Sequence, residues 1–349
     1  MGADGAFDRR REELAVIQKC STTAVSDDQV VQSYKDECDP AKDDNWMLQY
    51  LELGKLAYVF GSNLFVHGAL TSTNVGTVPE KKKRFAKVKA WVRALNSWAQ
   101  SEVHAFRTDP YSGKTTNNRK GFGLMDYGVP GGNKGATVVY NHFLCNGNGA
   151  HLPRDVQQFL ISNKITTVVT GHQPHGDCPC VMRTGLITVI TADTSYSHMG
   201  AKSWWGVDNR GGTCVSEVLL YPDGSSEVHG VLADSTKIAY KLGGGEGDKF
   251  VGRQLSNGCW VKAKTQGPNA EYILCLGEGF KLTVSRATEA EMLALKLSDF
   301  MQKVDEVHPQ AVSWVLILAC AAAAAAIAYT HLDGERYVAE ASLWVKRFL

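Results

Sequence analysis

The pattern of apolar and polar positions divides the chain into a mixed first part and a strand-rich second part. Up to about residue 210, stretches with apolar residues at every third or fourth position alternate with short runs of β-branched and aromatic residues. The first pattern predicts amphipathic helices and the second predicts strands. From residue 213 onward, short apolar runs are separated by turn-forming residues, which predicts antiparallel strands. The sequence therefore predicts an α/β protein with a β-rich extension.

The elements that this pattern predicts are short, with the exception of one helix. Helices are predicted over residues 45–55, 80–106, 153–163 and 289–304. The second of them opens with the basic run Lys81–Arg84 and then carries apolar residues at helical spacing. We favour a helix packed on a sheet, and binding of calmodulin or of a membrane surface is the alternative. Strands are predicted at 55–60, 64–67, 136–140, 165–170, 186–192, 214–221, 226–232, 236–242, 258–264, 271–276 and 279–284.

A long apolar segment near the C-terminus predicts a membrane anchor. Ala311–Thr330 contains no charged residue and has the length of a helix that crosses a bilayer, about 20 residues. Ala321–Ala326 is an alanine run, and alanine favours insertion less than leucine does, so a buried or hairpin helix is the alternative. We expect a single-pass protein whose bulk lies in the cytoplasm, with 291–310 as polar helix and linker, 311–330 as the transmembrane helix and 331–349 as a short tail.

Composition gives no reason to expect a nucleic acid partner or a disulfide framework. Lys and Arg number 37 against 36 Asp and Glu, for a formal net charge of +1, so no charge imbalance points to nucleic acid. The nine cysteines are scattered, and Cys178 and Cys180 are closer together than the cysteines of structural zinc sites. We therefore expect reduced intracellular thiols.

Two histidines follow predicted strands directly, each beside a glycine. His67 precedes Gly68, and His172 follows Gly171. A glycine lets the backbone turn closely around a ligand, so such a histidine can direct its imidazole beyond the sheet edge, where two of them can share a metal ion. Other polar residues are candidates for contacts with a substrate phosphate near the same edge, although each is also explained by a structural role: Asn141, His142, Arg183 and Asp193.

The two histidine segments resemble conserved blocks of the calcineurin-like metallophosphoesterases. Val66–Leu70 resembles the block Val-His-Gly-Gly-Leu, and Val169–Pro174 resembles the Gly-His block. The resemblance implies a two-sheet sandwich flanked by helices, with residues 1–210 as its C-terminal portion and 211–290 as the β-rich extension. It also implies a phosphorylated substrate and divalent metal ions of the Mn, Fe, Zn or Mg class, bound by His67, His172 and His175.

The aspartate-bearing blocks that precede the first histidine block in this family are absent before His67. Asp8–Leu14 resembles the segment that follows the third of those blocks, so the chain is expected to begin just after it. Without a bridging aspartate, two divalent ions cannot be held about 3.5–4 Å apart, and no residue is assigned a catalytic role. Two hypotheses stay open: a truncated, membrane-tethered phosphoester hydrolase, and a catalytically inactive pseudo-phosphatase or membrane-anchored binding module. A sandwich without its first strands would expose sheet edges, so poor solubility is also expected.

Overall fold

The computed structural model describes residues 5–110, 112, 118–196, 202–203, 206–207 and 210–295, with the backbone alone at 202–203 and 206–207. All of these residues belong to the first of two units, Met1–Ser298 and Asp299–Leu349. The predicted transmembrane helix at 311–330 and the tail at 331–349 therefore lie outside the described residues. Within the described part, no helix is both long enough and apolar enough to cross a bilayer.

The described part of the chain is mixed α/β, as the sequence predicts. Its α-helices are α1 (Ala6–Gln18), α2 (Asp27–Cys38), α3 (Trp46–Leu53), α4 (Val88–Thr108), α5 (Phe122–Tyr127), α6 (Arg154–Ser162) and α7 (Glu289–Ala294). Its strands are β1 (Ala57–Phe60), β2 (Asn63–Val66), β3 (Leu144–Cys145), β4 (Asn148–Gly149), β5 (Thr167–Thr170), β6 (Cys180–Thr184), β7 (Ile187–Thr191), β8 (Lys202–Ser203), β9 (Gly206–Val207), β10 (Val215–Leu220), β11 (Ser226–Val231), β12 (Lys237–Leu242), β13 (Trp260–Lys264), β14 (Glu271–Glu278) and β15 (Lys281–Thr288).

A five-stranded sheet with the order β1-β2-β5-β7-β6 carries the candidate site. Strands β2, β5 and β7 are parallel to one another, whereas β1 and β6 are antiparallel to their neighbours at the two edges. The carboxyl ends of the three parallel strands therefore lie at the same edge of the sheet. The chain leaves that edge at His67, at Gly171 and at Ala192, so the sheet brings the two predicted histidine segments and Asp193 together.

One face of this sheet is covered by helices α4 and α6. Trp91 and Leu95 of α4 and Leu160 of α6 are fully buried, in one apolar cluster with Leu64 and Val168 of the sheet. The apolar side of the long amphipathic helix thus lies in the core. This confirms that α4 packs on a sheet, and its apolar face is not open to calmodulin or a membrane.

The helix α4 begins at Val88, so the predicted start at residue 80 is wrong. Glu80 has a left-handed backbone with φ of 64°, and the residues that follow it form a run of like charges that disfavours a first helical turn. The N–H of Val88 instead receives a side-chain cap, because it donates to Oδ1 of Asn163 at 3.0 Å. Of the predicted helix at 289–304, the described part forms α7, which ends at Ala294 with Leu295 extended, and residues 296–304 lie outside the described residues.

The opposite face of the sheet packs against the β-rich portion, at the β6 and β7 side. Val181 and Ile190 are fully buried in a second apolar cluster with Val261, Ile273 and Tyr240. Strands β10 to β12 form one antiparallel sheet and β13 to β15 form another. The segment 211–290, predicted as a β-rich extension, thus contains six strands in two meanders.

One strand prediction is wrong, and one strand of the central sheet was not predicted. Residues 136–140 do not form a strand, because Asn74 and Asn141 donate their side-chain amides to the carbonyl of Thr137 in place of a neighbouring strand. Conversely, β6 was not predicted, since its run Cys180–Thr184 follows Pro179 and carries a charge and a hydroxyl in its second half. Its pairing with β7 completes the sheet.

Candidate functional site

His67 and His172 lie side by side at the carboxyl edge of the sheet. Their ring centroids are 5.2 Å apart, with the rings tilted by 57°. The carbonyl of His67 accepts the N–H of Gly171 at 2.9 Å and the hydroxyl of Thr170 at 3.0 Å. The parallel pairing of β2 and β5 thus fixes the two histidine backbones against each other. The structure brings together the pair that the sequence predicts.

The backbone of His172 is strained in a way that is typical of functional positions. Its φ is 73°, in the left-handed region that few residues with a side chain adopt. Tyr140 contacts the His172 ring edge-on, with the centroids 4.6 Å apart. The Nε2 atom of His172 is buried and has no hydrogen-bond partner in the described structure. A buried nitrogen without a partner in a strained residue points to a ligand at this position.

The loop that carries Asn141 and His142 crosses closely over Gly68. The N–H of Gly68 donates to the carbonyl of Val138 at 2.7 Å. A Cβ atom at Gly68 would lie 2.5 Å from the carbonyl oxygen of Val139 and closer still to that of Asn141. Only glycine fits there, so the glycine beside His67 is explained by the approach of this loop.

His142 is held in an orientation suited to ligand binding, whereas Asn141 is structural. The Nδ1 atom of His142 lies 2.9 Å from the carbonyl of Leu144, so Nδ1 carries the proton and Nε2 keeps its lone pair. Burial lowers the pKa of His142, and Arg210 lowers it further. The side-chain amide of Asn141 donates to the carbonyls of Gly135 and Thr137, so its role is to shape the loop.

Asp193 completes the group at the end of β7. Its Cβ lies 3.7 Å from the position that a Cβ at Gly171 would occupy, and its carboxylate accepts the N–H of Ser195 at 2.6 Å. Burial is the main cause that lowers the pKa of His172; His67 and His142 lower it too, and Asp193 opposes them. Four predicted residues therefore act on one another here, and His172 is kept in the neutral form that metal binding requires.

These residues fit a metal ion in part. Imidazole suits zinc, iron and manganese, and the unpartnered Nε2 of His172 is a nitrogen that could ligate. Among the residues that the structure describes, however, no three His, Cys, Asp or Glu side chains lie close enough to hold one ion together. The pair therefore fits one ion with an incomplete ligand set, and it does not by itself fit a bridged two-metal centre.

His175 lies apart from the histidine pair, although the resemblance implies a shared role. Its ring is fully buried, makes no aromatic contact with His67 or His172, and has no hydrogen-bond partner in the described structure at either nitrogen. Its carbonyl oxygen accepts a hydrogen bond from the Lys262 ammonium. Burial, together with the charges of Lys262 and Arg210, lowers the pKa of His175 to about 3. A metal cation at this ring would meet two buried positive charges.

Arg183 is not part of this site. It pairs with Thr188 at the start of β7, which is the opposite end of the strand from Asp193. Its guanidinium donates to the carbonyl of Asp248 at 2.8 Å, and Gly252 packs against its aliphatic stem. The sequence alone could not show this, because the hairpin of β6 and β7 reverses the direction of the chain.

Arg210 is a charged residue near the site that the sequence analysis missed. It is 9% exposed, and its carbonyl accepts the N–H of Gly176 in the loop after β5. Its charge lowers the pKa of His142 and of His175. No motif marks it, since the only local signal is that two glycines follow it.

No protein-family model, curated protein or solved structure shows significant similarity to the chain. The case for a function therefore rests on the residues and geometry at the sheet edge.

Proposed function

We propose that the chain is a metal-dependent phosphoester hydrolase of the calcineurin-like class, with His67 and His172 as metal ligands. The observation that carries the proposal is the convergence of these two imidazoles with His142 and Asp193 at the carboxyl ends of three parallel strands. Open α/β sheets bind their ligands at such an edge. The resemblance of Val66–Leu70 and Val169–Pro174 to the family's histidine blocks supports the same conclusion.

The residues of the site have separate tasks in this proposal. His67 and His172 would hold the ion, which when bound would polarise a phosphoryl oxygen and make a water more acidic. His142 presents the lone pair of Nε2, because Leu144 holds the proton on Nδ1, and so it can accept a proton from water. The carboxylate of Asp193 acts on His172 and opposes in part the effects that lower the pKa of this imidazole.

The larger parts of the proposal rest on the sequence. They are a two-sheet metallophosphoesterase sandwich with this chain as its C-terminal portion, a phosphorylated substrate, and a membrane anchor at 311–330. The bulk of the chain would lie on the cytoplasmic side of that membrane.

The test is hydrolysis of p-nitrophenyl phosphate by the full chain with added Mn²⁺ or Zn²⁺. We expect turnover that His172→Ala reduces by at least about 100-fold, since a metal ligand acts on the transition state itself. His229→Ala is the matched control, because His229 lies on β11 and pairs with Glu227 away from the site. Equal activity in both variants would assign the turnover to a contaminant or to another site.

A second candidate is a binding module that keeps the site without catalysis. It is favoured by the ligand set itself, because no three metal-ligating side chains meet in the described structure. Titration calorimetry with Zn²⁺ separates the two candidates. The binding module would be supported if His172→Ala binds Zn²⁺ more weakly than the wild type and the wild type shows no more turnover than this variant.

A further inference from the structure

The surface at the start of α4 carries a concentration of positive charge that the proposed function does not use. Glu80 is the one acidic residue between positions 71 and 101 of the sequence. The seven cations of this stretch form a basic cluster in which every residue is exposed: Lys81, Lys82, Lys83, Arg84, Lys87, Lys89 and Arg93. Because the net charge of the whole chain is only +1, a general excess of cations does not explain this cluster.

The charges of the basic cluster are not neutralised by carboxylates. Within the described part of the chain, none of the seven cations forms an ion pair, whereas Arg10, Arg107 and Arg286 all pair with carboxylates. Lys87 and Lys89 also flank the first residue of α4, where the free N–H groups of a helix favour anions and disfavour cations. The cluster therefore creates a positive potential that attracts an anionic partner.

The backbone that carries the basic cluster is held in place. The N–H of Phe85 donates to the carbonyl of Gly76 at 2.8 Å, and a Cβ at Gly76 would lie 2.5 Å from the carbonyl oxygen of Phe85. The guanidinium of Arg84 donates to the carbonyl of Thr73 at 3.3 Å. Because the segment is already ordered, a partner that binds these cations does not have to order it.

The apolar residues of this region favour contact by charge alone. Trp91 is fully buried, and Phe85 packs against the core. Insertion into a bilayer needs large exposed apolar side chains, and a single-stranded nucleic acid needs exposed aromatic rings between the cations. Residues 81–93 present neither. A layer of anionic lipid headgroups, in contrast, requires only clustered Lys and Arg.

We propose that the basic cluster binds the anionic phospholipids of a bilayer surface. The inference draws on the membrane anchor of the proposed function and is independent of hydrolysis. An anchor at 311–330 would hold the chain beside a bilayer, and the cytoplasmic leaflet is the one that carries anionic lipids. Each Lys or Arg near such a surface strengthens binding about fivefold, so the cluster determines which side of the described chain faces the lipid.

The basic cluster and the histidine pair lie at opposite edges of the central sheet. Asn163, which accepts the N–H of Val88 at the start of α4, comes shortly before β5, whereas His172 comes after it. Binding through the cluster therefore turns the histidine site away from the bilayer.

The experiment compares how the full chain partitions onto vesicles of phosphatidylcholine alone and of phosphatidylcholine with about one third phosphatidylserine. The anchor would act on both, so the ratio of the two partition coefficients measures the contribution of charge. We expect the wild type to prefer the anionic vesicles by at least about 100-fold at about 0.1 M NaCl. This preference should disappear at about 1 M NaCl, where the Debye length is about 3 Å. Lys82→Glu combined with Lys83→Glu should lower it by at least about 10-fold.

Lys237→Glu combined with Lys281→Glu is the matched control, because it makes the same change in net charge at two exposed lysines of the β-rich portion. Urea unfolding checks that both variants fold, and the cluster variant should be no less stable than the wild type. If it does not fold, Lys82→Gln combined with Lys83→Gln removes the charge without reversing it. An equal preference in a folded cluster variant and in the control would overturn the proposal, as would no partition of the wild type onto either vesicle.

The outcomes separate this inference from the anchor of the proposed function. Equal partition onto both vesicles, unaffected by salt, would support the anchor and refute binding by the cluster. Partition onto the anionic vesicles alone, released by salt, would support the cluster and refute the anchor. A single-stranded oligonucleotide that binds the chain more tightly than the anionic vesicles do, with the same dependence on Lys82 and Lys83, would overturn the choice of lipid as the partner.

Discussion

At the scale of single residues, the tightest constraint in the site is the space around Gly68. A methyl group there would meet the carbonyl oxygens of Val139 and Asn141, and both belong to the loop that carries His142. We predict that Gly68→Ala pushes this loop away from His67. The expected loss of unfolding free energy is about 1–3 kcal/mol, the usual range for overpacking a rigid position. Metal affinity should fall in the same variant.

The measurement is urea unfolding together with calorimetric titration of Zn²⁺. Gly245→Ala is the control, because a Cβ at Gly245 meets nothing within 4 Å and its φ is not in the left-handed region. Equal stability of the two alanine variants would show that the loop moves aside freely, and the argument for a fixed loop would then fail.

A second prediction at this scale concerns His175 and pH. Its pKa is lowered from 6.5 to about 3, chiefly by burial and then by Lys262 and Arg210, so the folded chain holds it neutral. The unfolded chain takes up a proton below pH 6.5, which means that the stabilisation is complete above that pH and is lost progressively as pH falls toward 3. Between pH 8 and pH 5, this one group should remove about 2 kcal/mol of stability.

Urea unfolding of the wild type and of His175→Phe at both pH values measures this effect. The phenylalanine variant should lose about 2 kcal/mol less on acidification, because other groups that titrate are common to both chains. An identical loss in both chains would mean that the ring takes up its proton in the folded state.

The positions of the site's side chains could be predicted where the end of a strand determines them. They could not be predicted where contacts with a distant part of the chain determine them. His67, His172 and Asp193 follow strands whose parallel order brings their ends together, so their meeting could be expected from the pattern. The proton position on His142 depends on the carbonyl of Leu144, which no pattern shows. Arg183 was placed at the wrong end of the sheet because β6 had not been predicted, and Arg210 approaches from a distant loop.

At the scale of elements, Asn163 joins the start of α4 to the end of α6. Its Oδ1 accepts the N–H of Val88 at 3.0 Å, and its amide donates to the carbonyls of Ala86 and Phe159. The first N–H groups of a helix have no partner within it, so this contact acts as an N-cap supplied from another helix. We predict that Asn163→Ala lowers the unfolding free energy by about 1 kcal/mol.

Asn163→Asp is the informative companion variant, because a carboxylate keeps the acceptor for Val88 and favours a helix N-terminus. It should retain more stability than the alanine variant in urea unfolding at pH 7. If alanine and aspartate destabilise equally, the donor bonds to Ala86 and Phe159 matter and the cap does not.

Helices and strands could be predicted where the spacing of apolar residues alone determines the backbone conformation. Helices α3 and α6 and strands β2, β5 and β7 appear close to their predicted positions because apolar spacing and burial agree there. Residues 80–87 and 136–140 deviate because local charge repulsion and asparagine side chains take over the backbone. Such competition becomes visible only when the partner segments are known.

At the scale of the whole described molecule, one face of the central sheet is covered unevenly. Pairing puts Tyr58, Phe65, Val169, Ile190 and Val181 in one row across the five strands. Ile190 and Val181 are fully buried under the β-rich portion, whereas Tyr58 is 50% exposed and Phe65 and Val169 are partly exposed. Among the described residues, the β-rich portion thus covers the β6 and β7 side and leaves aromatic side chains open on the β1 side.

Among the described residues, the open side also ends in a strand edge that no further strand pairs with, so we predict that the chain associates with itself there. β1 is an edge strand, and its Phe60 is 64% exposed on the same face as Tyr58. Exposed edges with apolar side chains pair with other chains, and a lysine on such an edge prevents this. Tyr58→Lys combined with Phe60→Lys should therefore lower light scattering and raise the soluble concentration of the full chain several-fold, with little change in unfolding free energy. Ile17→Lys is the control, because Ile17 is 64% exposed on α1 and carries the same change of chemistry away from the sheet. The apolar segment 311–330 is identical in all three chains, so its contribution to association cancels in the comparison. Equal scattering by the β1 variant and the α1 variant would locate the association elsewhere and would remove the sheet edge as its cause.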